Sequence, residues 1–197
     1  MAMLIRFWGR LAISATEHTE GSPRSMPTSD WRQDIVDGLK ANNICTIAHV
    51  SDRVLAPIVR LVEADSFFRV ITLTREEEGV GILTGAYLGG RRGALLLQSS
   101  GFGNILNALG SLAIPYQVPF VLLLSPRGGF AEHNVVQLAL GKAVPSISEA
   151  LGIQMFEMTT PEDVPVVIDK GTKLAYVTRR PVILSISTRL SGGAANR

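Results

Sequence analysis

The stretch ALLLQSSGFGN, residues 94–104, begins with four apolar residues and ends in polar and glycine residues. A second apolar run, FVLLL at residues 120–124, also ends in a polar residue and a glycine-containing loop. Strands that are apolar on both faces are typical of parallel sheets covered by helices on either side. The two runs therefore predict central strands of an α/β domain, with polar groups gathered where the strands end.

Outward from these runs, strand-like segments alternate with segments of helical apolar spacing. The expected strands cover residues 44–50, 68–74, 94–98, 120–124, 154–158 and 181–187, and the main helices cover residues 76–88, 104–114 and 161–176. A first helix is expected to be capped by Thr28 or Ser29. We predict a doubly wound, mainly parallel six-stranded sheet over residues 28–190, with helices on both faces. Residues 1–27 are expected to be a disordered extension or a start-site artefact, and residues 191–197 a flexible tail.

Composition restricts the class of protein. The 197 residues include 19 basic and 17 acidic side chains and are 46% hydrophobic, which fits one folded domain and excludes intrinsic disorder. A single cysteine and three separated histidines do not favour a disulfide framework or a His/Cys metal centre. Scattered basic residues and the lack of a membrane-length apolar window predict no nucleic-acid or membrane role. We expect a cytoplasmic protein.

Polar or glycine-rich clusters follow each of the first four expected strands. They are HVSD at 49–52, TREEEG at 74–79, SSGFGN at 99–104 and SPRGGFAEHN at 125–134. The carboxyl ends of parallel strands share one edge of a sheet, called here the working edge, where ligands bind in such folds. Arg127 at this edge is suited to bidentate binding of an anion and His133 to catalysis, although a surface role explains either residue equally well.

The acidic triplet at residues 76–78 opens an expected helix, where acids are common because they complement the helix dipole. Counting by four from Glu77 gives Gly81 and Gly85, with Gly89 beyond them. A glycine costs about 1 kcal/mol in a helix interior, so this stripe indicates that something packs close to that face. Glu77 is therefore the member of the triplet expected to be enclosed, with a raised pKa. A structural and a functional role both remain open for it at this point.

The Gly101-Phe102-Gly103 segment follows a strand and precedes a helix, as in a dinucleotide-binding turn. Its third glycine is missing because position 106 is a leucine, and no Walker phosphate loop occurs. Two interpretations remain: a tight strand-to-helix turn, or a bare backbone surface against which a flat ring can lie.

Three stretches together resemble a known family: TREEEG at 74–79, TGAYLGG at 84–90 and QSSGFGNILNAL at 98–109. They are similar to the alpha subunits of sulfopyruvate decarboxylase and to single-chain phosphonopyruvate decarboxylases, and the similarity extends over about residues 30–187. The resemblance implies the pyrimidine-binding domain of a thiamine diphosphate enzyme. It also implies an alpha subunit of a heteromeric decarboxylase acting on 2-oxo acids with an anionic tail.

The resemblance also implies roles for particular residues. By its position in the motif, Glu77 is the glutamate that hydrogen-bonds N1′ of the aminopyrimidine ring and activates the cofactor. The implied cofactor-binding residues are Glu77, Ser100, Gly101, Phe102, Gly103 and Asn104, and the implied substrate-side residues are Ser51, Asp52, Arg127, His133 and Gln137. The paired histidines of pyruvate decarboxylases are absent, so the resemblance does not identify the group that protonates the reaction intermediate.

Enzymes of this family hold the diphosphate through Mg²⁺ on a Gly-Asp-Gly motif and a later asparagine. No Gly-Asp-Gly occurs in this sequence, so the resemblance implies a beta subunit that carries it, with the active site between the two chains of a hetero-oligomer. No metal ligand is expected in this chain. Three alternatives remain: a subunit of another thiamine-dependent lyase or carboligase, a non-catalytic assembly partner, and a nucleotide-binding Rossmann module, which Leu106 disfavours.

Overall fold

The computed structural model describes residues 30–129 and 132–192. Its sheet has the order β2-β1-β3-β4-β6-β5, and every neighbouring pair of strands is parallel. The strands are β1 (Ile44–His49), β2 (Arg69–Thr72), β3 (Arg92–Gln98), β4 (Val121–Ser125), β5 (Gln154–Met158) and β6 (Val182–Ile186). The predicted six-stranded, doubly wound α/β fold is therefore confirmed. The expected extension at residues 1–27 and most of the expected tail, from residue 193 onward, lie outside the described residues.

Helices cover both faces of the sheet. They are α1 (Trp31–Ala41), α2 (Ala56–Ala64), α3 (Glu76–Leu88), α4 (Ser99–Asn104), α5 (Leu106–Ala108), α6 (Leu138–Ala150), α7 (Asp163–Thr178) and α8 (Thr188–Ser191). Helices α1, α2 and α7 pack on one face, and α3 to α6 pack on the other. In the two described ranges, no helix combines the length and the apolarity that a bilayer span requires.

Strands β3 and β4 form the centre of the core. Leu95 pairs with Leu122 and Leu96 with Leu123, and all four side chains are fully buried. Leu96 and Leu123 belong to the cluster under α1, α2 and α7, whereas Leu95 and Leu122 belong to the cluster under α3 to α6. Both faces of these strands are therefore buried, which explains why their sequences are continuously apolar rather than alternating.

The first helix begins one or two residues later than the sequence predicts. Asp30 is the N-cap, and its carboxylate accepts a hydrogen bond from the backbone N–H of Arg32 at 3.1 Å. The expectation of a cap at Thr28 or Ser29 is therefore wrong. Aspartate, serine and threonine cap helices in the same way, so the sequence alone does not select among adjacent candidates.

The SSGFGN segment is helical, so the interpretation of it as a tight turn is wrong. The helix expected from residue 104 begins five residues earlier, and residues 106–113 are helical as expected. Helix α4 begins at Ser99, directly after β3. A Cβ atom on Gly101 would lie 2.6 Å from Glu76 Oε1, and one on Gly103 would lie 2.6 Å from Leu140 Cδ1. The glycines thus let α3 and α6 approach α4 closely, and this packing outweighs the helix cost of about 1 kcal/mol per glycine.

Two glycines of α3 give a test of this packing. A Cβ atom on Gly79 would lie 2.6 Å from Leu95 Cδ1, whereas one on Gly81 would meet nothing within 4 Å. Gly79→Ala is expected to lower the free energy of unfolding by ~1–3 kcal/mol through overpacking. Gly81→Ala is expected to raise it by ~0.5–1 kcal/mol through helix propensity. Urea unfolding followed by circular dichroism measures both, and similar effects of the two substitutions would contradict the described packing.

Candidate active site

The loops that follow β1, β3 and β4 meet at the working edge because these strands are neighbours in the sheet. The backbone N–H of Arg127, after β4, donates to Ser99 Oγ, after β3, at 2.9 Å. The pKa of Arg127 is raised first by a hydrogen bond to Glu132, and the carboxylate of Asp52, after β1, adds to the effect. These contacts bring together three of the four clusters found at the strand ends of the sequence, and the hydrogen bond between Asn104 and Glu76 joins the fourth to them.

The fourth cluster contributes the acidic triplet, and its three carboxylates have different surroundings. Glu76 is only 8% exposed, and its Oε2 accepts a hydrogen bond from Asn104 Nδ2 at 2.8 Å. The side chain of Glu77 is 37% exposed, and its Oε1 accepts from Arg75 Nε at 2.6 Å. Glu78 is exposed and accepts from the backbone N–H of Thr74 at 3.2 Å. Glu76, rather than Glu77, is thus the enclosed member, and the expectation for Glu77 is wrong in this respect.

Helix geometry explains the difference. Glu76 shares the inward face of α3 with Val80 and Leu83, which are buried in the core. Glu77 lies about 100° around the helix from Glu76, on the outward face with Gly81 and Gly85, and a Cβ atom on either glycine would meet nothing within 4 Å. The glycine stripe is therefore real, but no part of the described chain packs against it.

Glu77 is ionised more readily than an ordinary glutamate, contrary to the raised pKa expected from the sequence. The nearby N–H of its own backbone and then the hydrogen bond from Arg75 lower its pKa. One atom of the side chain is nevertheless shielded: Oε2 is buried and has no hydrogen-bond partner among the described residues. The carboxylate thus has one oxygen fixed by Arg75 and one oxygen with unused acceptor capacity.

The expected cofactor-binding residues of α4 fall into two groups. Phe102 is fully buried in the core and Gly101 is covered by Glu76, so their side-chain positions face the protein interior. Ser100 and Gly103 are partly exposed, and Asn104 is exposed. The bare glycine surface expected from the sequence is not present, because Glu76 and Leu140 lie where the Cβ atoms of Gly101 and Gly103 would be. Contact with a ligand through the backbone of this segment stays a prediction.

Arg127 is held by a partner that the sequence analysis did not identify. Its Nε and Nη2 donate to the two carboxylate oxygens of Glu132 at 2.8 and 3.1 Å, and its Nη1 donates to Gln98 at 3.3 Å. Both side chains of the ion pair are largely buried. The hydrogen bond from Arg127 is the main cause that lowers the pKa of Glu132 to about 2. In the sequence, the observation that could have identified this partner was an acidic residue five positions after Arg127 in the same loop.

The remaining substrate-side residues differ in their surroundings. Asp52 Oδ1 accepts from the backbone N–H groups of Val54 and Leu55 at 2.9 and 3.0 Å, so it orders the turn before α2. Ser51 and His133 are exposed. Gln137 is partly buried, and its Oε1 is enclosed without a hydrogen-bond partner among the described residues. Their ligand-binding roles stay predictions.

His49 is a residue of the working edge that the site prediction left out. It is 5% exposed at the end of β1, its Nε2 lies 3.1 Å from Thr72 Oγ1, and burial lowers its pKa. Its Nδ1 is buried without a partner among the described residues. In the sequence, His49 could have been recognised as a polar residue at the end of an apolar strand. In residues 30–129 and 132–192, no group of His, Cys, Asp and Glu side chains is arranged to hold a metal ion.

The pair of Arg127 and Glu132 predicts a pH-dependent stability. A carboxyl group with a lower pKa in the folded state stabilises the fold above its unfolded pKa, and that contribution is lost as the pH falls towards the folded pKa. Glu132→Gln is expected to lower the free energy of unfolding by ~1–3 kcal/mol at neutral pH. Because the folded pKa is about 2, the difference from the unmodified chain should shrink as the pH falls from about 4.5 to about 2.

Denaturant unfolding at a series of pH values measures this difference. Glu149→Gln, at an exposed position of α6, is the matched control and should leave the acid dependence unchanged. The same pH profile for the unmodified chain and for Glu132→Gln would contradict the assigned ion pair.

Solved structures with this fold include thiamine diphosphate enzymes. A protein from Mycobacterium smegmatis described as a thiamin diphosphate-dependent enzyme has a TM-score of 0.63 and 20% identity, over 79% of this chain and 30% of that chain. The 2-oxoglutarate:ferredoxin oxidoreductase of Magnetococcus marinus has a TM-score of 0.61 and 12% identity, over 79% of this chain and 28% of that chain. At these identities the likeness establishes the fold. No family model matches the sequence.

Curated relatives establish the family. The sulfopyruvate decarboxylase subunit alpha of Methanococcus maripaludis is 37% identical over 130 residues, 66% of this chain and 78% of the relative. The corresponding subunit of Methanocaldococcus jannaschii is 35% identical over 150 residues, 76% of this chain and 89% of the relative. The phosphonopyruvate decarboxylase of Streptomyces viridochromogenes is 38% identical over 104 residues, 53% of this chain and 26% of the relative. The chain therefore belongs to the family of the sulfopyruvate decarboxylase alpha subunits and the phosphonopyruvate decarboxylases.

Proposed function

We propose that this chain is the alpha subunit of a thiamine diphosphate-dependent decarboxylase of 2-oxo acids, and that Glu77 engages the aminopyrimidine of the cofactor. The observation that carries the proposal is the state of the Glu77 carboxylate at the working edge. Its Oε2 is buried and without a hydrogen-bond partner in the described part of the chain. A buried acceptor in that state costs free energy unless a ligand or a partner chain supplies a donor.

The residues around Glu77 fit an aminopyrimidine nitrogen. Arg75 Nε donates to Oε1 at 2.6 Å and fixes the orientation of the carboxylate. The other oxygen, Oε2, is then left to share a proton with a ring nitrogen. Thiamine diphosphate, when bound, supplies the electron sink that loss of carbon dioxide requires. The role of this chain is to present Glu77 Oε2 as the acceptor that exchanges a proton with that nitrogen.

A second pair of side chains supports the position of Glu77. Glu76 Oε2 accepts from Asn104 Nδ2 at 2.8 Å and thereby joins the start of α3 to the end of α4. Gly101 permits this contact because its missing side chain leaves room for the Glu76 carboxylate. Glu76 therefore acts on the site as a positioning residue, and the rigid start of α3 sets where the Glu77 backbone lies.

The unused donors of Arg127 support a substrate with an anionic tail. Arginine has five N–H donors, and Arg127 uses three of them for Glu132 and Gln98. The two that remain suit a sulfonate, phosphonate or carboxylate oxygen. Glu132 neutralises much of the charge of Arg127, so we expect hydrogen-bond geometry to contribute more than net charge to the choice of substrate. A panel of sulfonated, phosphonated and unsubstituted pyruvates distinguishes these substrates.

The outward face of α3 supports a partner subunit. Glu77, Gly81, Gly85 and Leu88 lie along this face, and Leu88 is 79% exposed. Two glycines in the open part of a helix are unfavourable in an isolated chain, and they become favourable when another backbone packs against them. In our proposal that occupant is a beta subunit, which holds Mg²⁺ and the diphosphate through Gly-Asp-Gly and a later asparagine.

The relatives support an arrangement in which two subunits together form the enzyme. Two of them are named as alpha subunits, and each is matched over more than three quarters of its length. In the Streptomyces phosphonopyruvate decarboxylase the matching segment makes up 26% of the chain. The segment thus occurs both in separate subunits and within a longer polypeptide. In the proposal, the remainder of such a longer polypeptide corresponds to the beta subunit.

The role of Glu77 is tested by Glu77→Gln in the complex with the beta subunit. We expect kcat/KM for decarboxylation to fall at least ~100-fold, because the amide cannot take up the proton that the carboxylate exchanges. Assembly with the partner should be unchanged, as measured by size-exclusion chromatography with light scattering. Glu78→Gln, one residue along the helix, is the matched control and should retain activity. A fully active Glu77→Gln complex would overturn the proposal, and loss of assembly without loss of activity per complex would point to a structural role.

The proposed interface is tested by Gly85→Leu. The added side chain enters open space in this chain, so thermal stability of the isolated chain should be retained. Affinity for the beta subunit should fall at least ~10-fold, since overpacking a closed interface costs on the order of 1–3 kcal/mol. Surface plasmon resonance with the beta subunit measures this affinity. Unchanged binding would show that the partner does not pack on this face.

A further inference from the structure

A second concave site lies at the end of the sheet opposite the working edge. It is an open depression of about 280 Å³ beside the start of β3, between the carboxyl-terminal ends of α3 and α7. The lining residues are Tyr87, Gly90, Arg91, Arg92, Tyr176 and Arg179, and are called here the arginine pocket. Three of the six carry a guanidinium group, and none carries a carboxylate.

The three guanidinium groups differ in how far they are engaged. Arg92 is held in place, since its Cζ lies 4.3 Å from the ring centroid of Tyr176 and its Nη1 donates to the carbonyl of Asn42 at 3.3 Å. Arg91 and Arg179 are exposed, and neither makes an ion pair or side-chain hydrogen bond within residues 30–129 and 132–192. The guanidinium groups of Arg91 and Arg179, whose N–H donors are unused, thus line the same cavity as the fixed guanidinium group of Arg92.

The backbone at Arg179 is a separate observation. Arg179 caps α7 in the left-handed conformation, with φ 54° and ψ 45°. Glycine is preferred at this position because a side chain there costs roughly 1–2 kcal/mol. This conformation places Arg179 at the end of α7, where it lines the pocket.

Gly90 leaves space in the pocket, and a hydrogen bond close to it fixes the neighbouring backbone. Gly90 has φ 77°, and a Cβ atom on it would meet no heavy atom within 4 Å. Next to it, the Tyr176 hydroxyl accepts the backbone N–H of Gly93 at 3.1 Å, which ties α7 to the start of β3. Uncompensated like charges repel one another, and a concave surface concentrates their field. A bound anion relieves this repulsion and is held by bidentate hydrogen bonds.

We propose that the arginine pocket binds a small molecule with two or more anionic groups, such as carboxylates or phosphates, through Arg91, Arg92 and Arg179. We expect at least two anionic groups, one for each of the unengaged guanidinium groups of Arg91 and Arg179. This site is independent of the proposed function, since it uses none of the residues of the working edge.

Isothermal titration of citrate and of inorganic phosphate into the full chain tests the proposal. Citrate should bind at least ~10-fold more tightly than phosphate, because it places several carboxylates in reach of separate guanidinium groups. Binding should weaken as salt is raised. Amide chemical shifts of Gly90 and Gly93 should move on titration and locate the ligand in the pocket.

Two variants remove the unengaged groups. Arg91→Met and Arg179→Gly should each weaken citrate binding by ~10-fold or more, and glycine at position 179 keeps the fold because it adopts the left-handed conformation without strain. Arg60→Met, at an exposed position of α2, is the matched control and should bind citrate as the unmodified chain does. The proposal is overturned if citrate does not bind, or if it binds equally well to both variants. It is also overturned if the variants weaken capture of the beta subunit while citrate binding is unaffected, since the pocket would then be a protein contact.

Discussion

The burial of β3 and β4 on both faces is the constraint on which the rest of this structure depends. Their leucines alternate between two helix layers and fill the space between the sheet and the helices. The charged and glycine-rich segments follow the strands, where the backbone leaves the sheet. At the carboxyl ends this places Ser99, Arg127 and Asp52 near one another, although 75 residues of sequence separate the first loop from the last. The site is thus a consequence of the same packing that stabilises the domain.

The inward and outward faces of α3 carry glutamates with different surroundings. The inward face carries Glu76, whose carboxylate is enclosed and bonded to Asn104. The outward face carries Glu77, which has one oxygen fixed by Arg75 and one oxygen unused. Adjacent glutamates can serve different purposes because successive helical residues point about 100° apart. The Glu76 carboxylate stabilises the contact between α3 and α4. The Glu77 carboxylate keeps one oxygen without a hydrogen bond in the described part of the chain.

The sequence was sufficient for the architecture, because strand burial and helical spacing depend on apolar patterns that are read directly. Helix α3 and strand β5 were predicted with the boundaries that the structure has. Contacts between distant segments were not predictable in this way. The helical form of SSGFGN depends on Glu76 and Leu140 filling the space over its glycines, and neither partner is identifiable from spacing.

Electrostatic partners were missed for the same reason. Arg127 was expected to be free for a ligand, but Glu132 in its own loop binds two of its nitrogens. The raised pKa expected for Glu77 assumed that its face was covered. The described chain leaves that face open, and the N–H of its own backbone and then Arg75 lower the pKa. A covered Glu77 belongs to the assembled enzyme of our proposal rather than to this chain alone.

The central claim is that this chain provides one wall of an active site and a partner subunit provides the other. Its most direct test is the release of carbon dioxide from sulfopyruvate and phosphonopyruvate, with thiamine diphosphate and Mg²⁺, by the chain alone, by the beta subunit alone and by an equimolar mixture. We predict no turnover by either chain alone and turnover by the mixture. Full activity of the isolated chain would contradict the account.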